Sequence, residues 1–233
     1  MVRKRIRRFF SMSKETQELT RNPNLVAFQT NLLAEYREKN KTAKKGQTLF
    51  IGSSIMELFP IEKWEEAGEV KFEKYIYNRA VRATTTQFVL DYINTQIFDL
   101  APSKIFINIG TNDIGFQVKS EIFHENYEKI IRQIQATLPD AEIFVLKYYP
   151  VNNVDFGSDQ DEAVLFATRS NALFNQASEK NREMAQKLGV NFIDVSDGLA
   201  DEHGNLKKAY TFDGAHLSPD GCKVILENLA PYL

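Results

Sequence analysis

A doubly wound, three-layer α/β domain is what this sequence predicts, and two observations carry that expectation. Apolar strand-like runs alternate with helical patterns along most of the chain. One of those runs, Ile105-Phe-Ile-Asn-Ile109, is apolar at nearly every position, as in a parallel strand covered on both faces. The 233 residues suffice for one such domain with a substantial core.

The elements follow in order. Residues from about Ser13 to Asn40 read as a leading helix, broken or kinked near Asn22-Pro23-Asn24. Leu25, Phe28, Leu32, Leu33 and Tyr36 repeat at helical spacing in its second half. After a polar connector from Lys41 to Gly46, strands are expected at Thr48–Ile51, Val70–Tyr77, Lys104–Ile109, Glu142–Leu146 and Val190–Val195. Helical patterns fall at roughly Thr86–Phe98, Glu121–Leu138, Glu162–Leu188 and Pro219–Leu229. The chain thus divides into an N-terminal helical extension, residues 1–45, packed on a domain of residues 46–233. It contains no internal repeat and no low-complexity tract.

Charge and composition narrow the function. With 29 Lys+Arg against 31 Asp+Glu, a net charge of -2 gives no global attraction to nucleic acid. The cationic start, Met1 to Phe10, is followed by Ser-Met-Ser-Lys-Glu-Thr rather than by the apolar core of a secretory signal. No stretch approaches the ~20 apolar residues of a membrane span. The basic cluster reads as a solvated tail before the leading helix, with contact to anionic lipid or another acidic surface as the alternative. The lone Cys222 excludes an internal disulfide and suits a reducing compartment, so a cytoplasmic location is expected. Three scattered histidines argue against a structural zinc, and no cofactor is expected.

In doubly wound sheets ligands bind beyond the carboxyl ends of the strands. Ser54 follows the first expected strand, Asn78 the second, Asn112 the third and Tyr148-Tyr149-Pro150 the fourth. The loop to Asp213 and His216 follows the fifth. All the chemistry-bearing residues therefore converge on one sheet edge. A serine hydroxyl needs a base to take its proton as it attacks, and histidine suits that role at neutral pH. A carboxylate on the far ring nitrogen fixes the tautomer, and Asp213 stands three residues from His216. Oxyanion donors are on hand in the Ser54 N–H, the Ala83 N–H and the Asn112 amide, with Gly110 allowing a sharp turn before Asn112. Each residue alone also fits a plainer role. Ser53 or Ser54 fits a helix N-cap, Asn112 or Asp113 a turn, and His216 a cap on the last helix. Together on one edge they favour catalysis. His124, His203, Cys222 and Trp64 read as structural.

Gly52-Ser53-Ser54, Asn78-Arg-Ala-Val-Arg-Ala83-Thr-Thr, Gly110-Thr-Asn112-Asp113 and Asp213-Gly-Ala-His216-Leu-Ser-Pro-Asp-Gly221 resemble, in order, the four sequence blocks of the SGNH hydrolases, the GDSL-type esterases and lipases. The resemblance runs from about Thr48 to Leu229. It implies a flavodoxin-like, five-stranded parallel sheet with Ser54 as nucleophile, His216 as base and Asp213 orienting it. It further implies an oxyanion hole from the Ser54 N–H, the second-block N–H of Ala83 and Asn112. Ser53 stands where the family usually has Asp, and Ala83 where it usually has Gly; a positive φ at Ala83 would carry strain. The α/β-hydrolase elbow, Gly-x-Ser-x-Gly, is excluded by Ile55 and Met56 after Ser54.

For substrate binding the expected residues are Ser53, Asn78, Tyr148, Tyr149 and Asn152, with Val151, Asn153 and Phe156 nearby on the pocket border. No long apolar lid is evident, which points to a small ester, such as a short-chain acyl ester or an O-acetylated carbohydrate. The alternatives are a silent domain that binds carbohydrate or a protein partner, and an O-acyltransferase. The sequence leaves oligomeric state open.

Overall fold

Successive side chains of a strand point to opposite faces, so a continuous apolar run can feed two cores. Leu49, Ile51, Ile105, Ile107, Ile143 and Val145 share one core, while Phe50, Phe106, Phe144 and Leu146 belong to the other. The computed structural model, which describes residues 22–157 and 165–233, arranges these strands in one parallel sheet. Its members are β1 (Thr48–Gly52), β2 (Ile76–Asn78), β3 (Lys104–Asn108), β4 (Glu142–Leu146) and β5 (Asn191–Ile193), in the order β2-β1-β3-β4-β5.

Helices cover both faces. α1 (Pro23–Thr42) leads the described chain; α2 (Ser54–Glu57) and α3 (Ile61–Glu66) follow β1. α4 (Thr86–Asp91) and α5 (Ile93–Gln96) follow β2, and α6 (Thr111–Gly115) and α7 (Ser120–Thr137) follow β3. α8 (Asn171–Leu188) precedes β5 and α9 (Pro219–Leu229) nearly closes the chain. Ile61 and Trp64 of α3 and Cys222 and Ile225 of α9 pack on the phenylalanine face. Val89, Ile93, Tyr127, Ile131 and Met184 from α4, α5, α7 and α8 pack on the isoleucine face. Fully burying such an apolar side chain contributes about 1.5–3 kcal/mol.

Several boundaries differ from expectation. β2 is Ile76–Asn78 rather than Val70–Tyr77, because this edge strand pairs only with Thr48–Phe50. Val70 and Phe72 rest against the core without joining the sheet. β5, the other edge, is likewise shorter than Val190–Val195. The helix expected over Thr86–Phe98 breaks at Tyr92, and the Asn40 amide takes the Thr95 carbonyl at 2.7 Å. α8 starts at Asn171, where the Ser170 hydroxyl caps the Leu173 N–H; an earlier start at Glu162 lies outside the described residues. The basic start of the chain and the first half of the leading helix lie outside them too.

Asn22 opens α1 by accepting from the Asn24 and Leu25 N–H groups, one residue before Pro23. Leu33 and Tyr36 of α1 then pack on Val81. Beside them Arg79, 1% exposed, donates to Asn40 Oδ1 at 2.9 Å, Glu62 Oε1 at 3.1 Å and the Asn78 carbonyl at 2.8 Å. Its guanidinium also lies 4.9 Å from the Tyr36 ring and 5.1 Å from the Tyr77 ring. This network ties α1 to the segment leaving β2. Among the described residues no helix is long and apolar enough to cross a membrane.

Candidate active site

The strand order reverses between β1 and β3, and there the loops part to leave a crevice. Ser54 stands at the mouth of β1 as the first residue of α2, and Asn112 at the mouth of β3 near the start of α6. The Ser54 hydroxyl lies 2.8 Å from His216 Nε2, and His216 Nδ1 lies 2.5 Å from Asp213 Oδ2. Residues 162 apart in sequence are thereby joined in one hydrogen-bonded row.

The Asp213–His216 turn holds itself together. Asp213 Oδ1 accepts from the Ala215 N–H at 2.9 Å and the His216 N–H at 2.7 Å, leaving Oδ2 for the ring. Thr211 Oγ1 donates to the His216 carbonyl at 2.6 Å and accepts from the Gly214 N–H at 2.9 Å. Gly214 has φ +81°, and a Cβ there would lie 2.5 Å from the Asn152 carbonyl, so only glycine fits. Burial opposes ionisation of Asp213, but the hydrogen bonds from the His216 ring and backbone outweigh it. Its carboxyl is held below the usual range. The cap of α9 is Ser218, whose Oγ accepts from the Gly221 N–H, with Pro219 following; His216 is left to the cavity.

Ser54, Ala83 and Asn112 line a cavity of about 530 Å³ together with Asp213 and His216. Ala83 has φ +57°, the left-handed conformation, which costs a non-glycine residue about 1–2 kcal/mol. Among the described residues, neither the Ser54 nor the Ala83 N–H donates to a backbone carbonyl. One amide hydrogen of Asn112 goes to the Thr84 carbonyl at 3.0 Å, and its Oδ1 accepts from Arg169 Nη2 at 3.4 Å. The next residue, Asp113, accepts from the Thr86 N–H at 3.0 Å and the Thr86 hydroxyl at 2.6 Å. Burial pushes the Asp113 carboxyl up to about 7 against those hydrogen bonds. Asn112 and Asp113 thus clamp the far side of the Ala83 loop. A hydroxyl, an imidazole and a carboxylate stand in one row beside a cavity that Ser54, Ala83 and Asn112 line.

Residues 50–224 match the GDSL-like Lipase/Acylhydrolase family, three quarters of the chain. The chain belongs to that family. A GDSL-like identity agrees with solved structures. A candidate platelet activating factor from Streptococcus pneumonia is 33% identical, with a TM-score of 0.80 over 94% of this chain and 98% of that one. A catalytic mutant of an acetylxylan esterase from Geobacillus stearothermophilus shares the fold at 14% identity, with a TM-score of 0.60 over 82% of this chain and 95% of that one. Among curated proteins, the N-acylneuraminate cytidylyltransferase of Escherichia coli is 30% identical over 127 residues. That match covers 54% of this chain, which spans only 27% of the Escherichia coli enzyme.

The residues expected to border substrate on this GDSL-like scaffold are placed elsewhere. Tyr148 is buried, its hydroxyl donating to the Ile109 carbonyl at 2.7 Å. It packs so closely over Gly110 (φ +122°) that a Cβ there would sit 2.2 Å from the phenol oxygen. Tyr149 belongs to the phenylalanine-side core. The Asn78 amide donates to the Met56 and Phe59 carbonyls and its Oδ1 accepts from the Ala80 N–H, fixing the chain after α2. Asn152 bonds Asp155 and the Leu206 carbonyl, and its own N–H donates to the Gly214 carbonyl at 2.7 Å. Ser53 is buried beneath α2, its carbonyl accepting from the Met56 and Glu57 N–H groups. None of the five lines the cavity; Asn78, Tyr148 and Asn152 spend their polar groups on neighbouring backbone carbonyls, and Ser53 and Tyr149 are buried.

The cavity wall is instead Ile55, Leu58, Phe116, Val151, Phe174 and Phe212, with Arg82 and Arg169 at its polar side. Of these only Val151 was expected. Phe212, 60% exposed, stacks on His216 with centroids 5.8 Å apart. Its place one residue before Asp213 was the available signal. His124 lies against Phe123, with burial pushing its ring down to about 4. His203 sits in an exposed turn, and burial pushes the Cys222 thiol up to about 12.

Proposed function

We propose that this protein hydrolyses small carboxylic esters through an acyl-enzyme on Ser54. The observation that carries the reading is the unbroken row from the Ser54 hydroxyl through His216 to Asp213. Ser54 Oγ attacks the ester carbonyl carbon while His216 Nε2 takes its proton. The Ser54 and Ala83 N–H groups and the second Asn112 amide hydrogen stabilise the oxyanion. His216 then protonates the departing alcohol as the carbon–oxygen bond breaks. Water attacks the acyl-serine with its proton passing to His216, and collapse returns that proton to Ser54 and frees the acid.

The cavity wall supports a short acyl group as its occupant, since apolar side chains dominate it and the tyrosines and amides suited to a sugar are turned inward. Ala83 lines the cavity despite replacing the usual glycine, and its N–H donates to no backbone carbonyl among the described residues, which favours turnover over a silent binding domain. The buried Cys222 suits a cytoplasmic site of action. The test compares wild type and Ser54→Ala on p-nitrophenyl acetate, butyrate and octanoate, with folding checked by circular dichroism. Turnover that depends on Ser54 and falls with chain length is the expected result. Turnover retained in Ser54→Ala removes the nucleophile assignment.

A further inference from the structure

We propose that Gln29, on the leading helix α1, is a positioning residue for the oxyanion hole. Its side-chain amide holds the Arg82–Ala83 peptide plane so that the Ala83 N–H faces the cavity. The inference rests on the esterase reading above and assigns that site a part from outside residues 50–224, the family-matched stretch.

Three observations converge. Gln29 Nε2 donates to the Arg82 carbonyl at 2.9 Å, from 53 residues away in sequence. That carbonyl and the Ala83 N–H belong to one peptide unit. A trans peptide is rigid and planar, with its C=O and N–H pointing in opposite directions, so holding one aims the other. Secondly, Ala83 sits at φ +57°. Turning the peptide plane over would carry Ala83 into the negative-φ region, where alanine is relaxed, and would swing its N–H out of the cavity. Glycine occupies both orientations at little cost, whereas alanine needs a restraint to stay in this one.

Thirdly, α1 braces the segment that leads into this peptide. The Tyr36 hydroxyl donates to the Ala80 carbonyl at 2.8 Å, and Leu33 and Tyr36 pack on Val81. The Phe28 ring lies 4.6 Å from the Arg82 guanidinium, which Glu57 holds through both carboxylate oxygens at 2.5 and 2.8 Å. Beyond Ala83, the Thr84 hydroxyl donates to the Val81 carbonyl at 2.6 Å and the Thr84 carbonyl accepts from Asn112. Those contacts fix the ends of the loop. The Gln29 hydrogen bond acts on the one peptide whose orientation decides whether the donor is presented.

Gln29→Met keeps the length and apolar stem of the side chain and removes only the donor. In wild type with Ser54-dependent turnover of p-nitrophenyl acetate, this change lowers kcat by about tenfold, a share of what loss of an oxyanion donor costs. KM stays within about twofold and the thermal midpoint stays close to wild type, because the bond is a single partly buried one. Gln29→Glu, whose carboxylate accepts rather than donates, gives the same loss. In an Ala83→Gly background Gln29→Met has little further effect, since glycine removes the bias toward the flipped peptide. Unchanged kcat in both Gln29 variants would overturn the proposal. So would an equal loss in the alanine and glycine backgrounds, which marks general loosening of α1. Absence of any Ser54-dependent turnover in wild type overturns the esterase reading itself, and this inference with it.

Discussion

The Asp213–His216 turn and the Ala83 loop face each other across one cavity, yet they are built in opposite ways. The turn is local: Asp213 binds the ring and two backbone N–H groups within three residues, and Thr211 closes it. The loop is held from a distance, by Asn112 and Asp113 on one side and by Gln29 and Tyr36 on the other. A carboxylate–imidazole pair tolerates little error in aim, and a short turn supplies that accuracy with few degrees of freedom. The Ala83 N–H, proposed as an oxyanion donor, has no side chain to steer it, so its orientation depends on what surrounds the loop.

Breaking the local half has the larger effect. In Asp213→Asn the amide oxygen keeps the two backbone bonds while the amide nitrogen meets His216 Nδ1, which favours the tautomer with Nε2 protonated. Nε2 then cannot accept the serine proton, and kcat falls by about 10³–10⁴-fold with folding retained; steady-state kinetics read this directly. On the distributed half, Asn112→Ala removes one of the three proposed oxyanion donors and loosens Thr84, so kcat is expected to fall by about 10²–10³-fold with a smaller change in KM. If the two losses came out equal, the contrast between the halves would lose its energetic content.

The smallest effect is on stability. Asp113, pushed up to about 7 by burial, titrates near 3.9 when unfolded. Between those values the unfolded chain has released a proton that the folded chain keeps. The Asp113 contribution to stability therefore falls as pH rises from about 4 to 7 and levels off above, while His124, pushed down to about 4, contributes in the opposite sense over the same range. Urea unfolding of wild type and Asp113→Asn across that range isolates the Asp113 contribution as the difference between the two slopes. A slope unchanged by that substitution would place the titration elsewhere.

The same contrast governs what could be read from sequence. The alternating apolar runs defined the central strands β1, β3 and β4 almost to the residue, because both faces of each are covered. Edge strands β2 and β5 came out shorter, since pairing on one side ends wherever the neighbour does. Asp213 and His216 were legible because their partnership is written in adjacent residues. Ser54, Ala83 and Asn112 were legible through their positions at strand mouths and their resemblance to the family blocks. The cavity wall was not. The place of Tyr148, Asn78 and Asn152 beyond strand ends points to the cavity, but backbone carbonyls take up their polar groups, while Phe116, Phe174 and Leu58 reach the cavity from positions outside the four blocks. Gln29 had no local signal, for its partner lies 53 residues away.

The central claim is that Ser54 is the nucleophile activated by His216, and active-serine labelling reaches it most directly. The folded protein is treated with a fluorophosphonate and the adduct located by peptide mass spectrometry, alongside His216→Ala. The account predicts a single adduct on Ser54 in wild type and little or none in His216→Ala over the same time. An adduct on another serine, or equally fast labelling of Ser54 without His216, would contradict it.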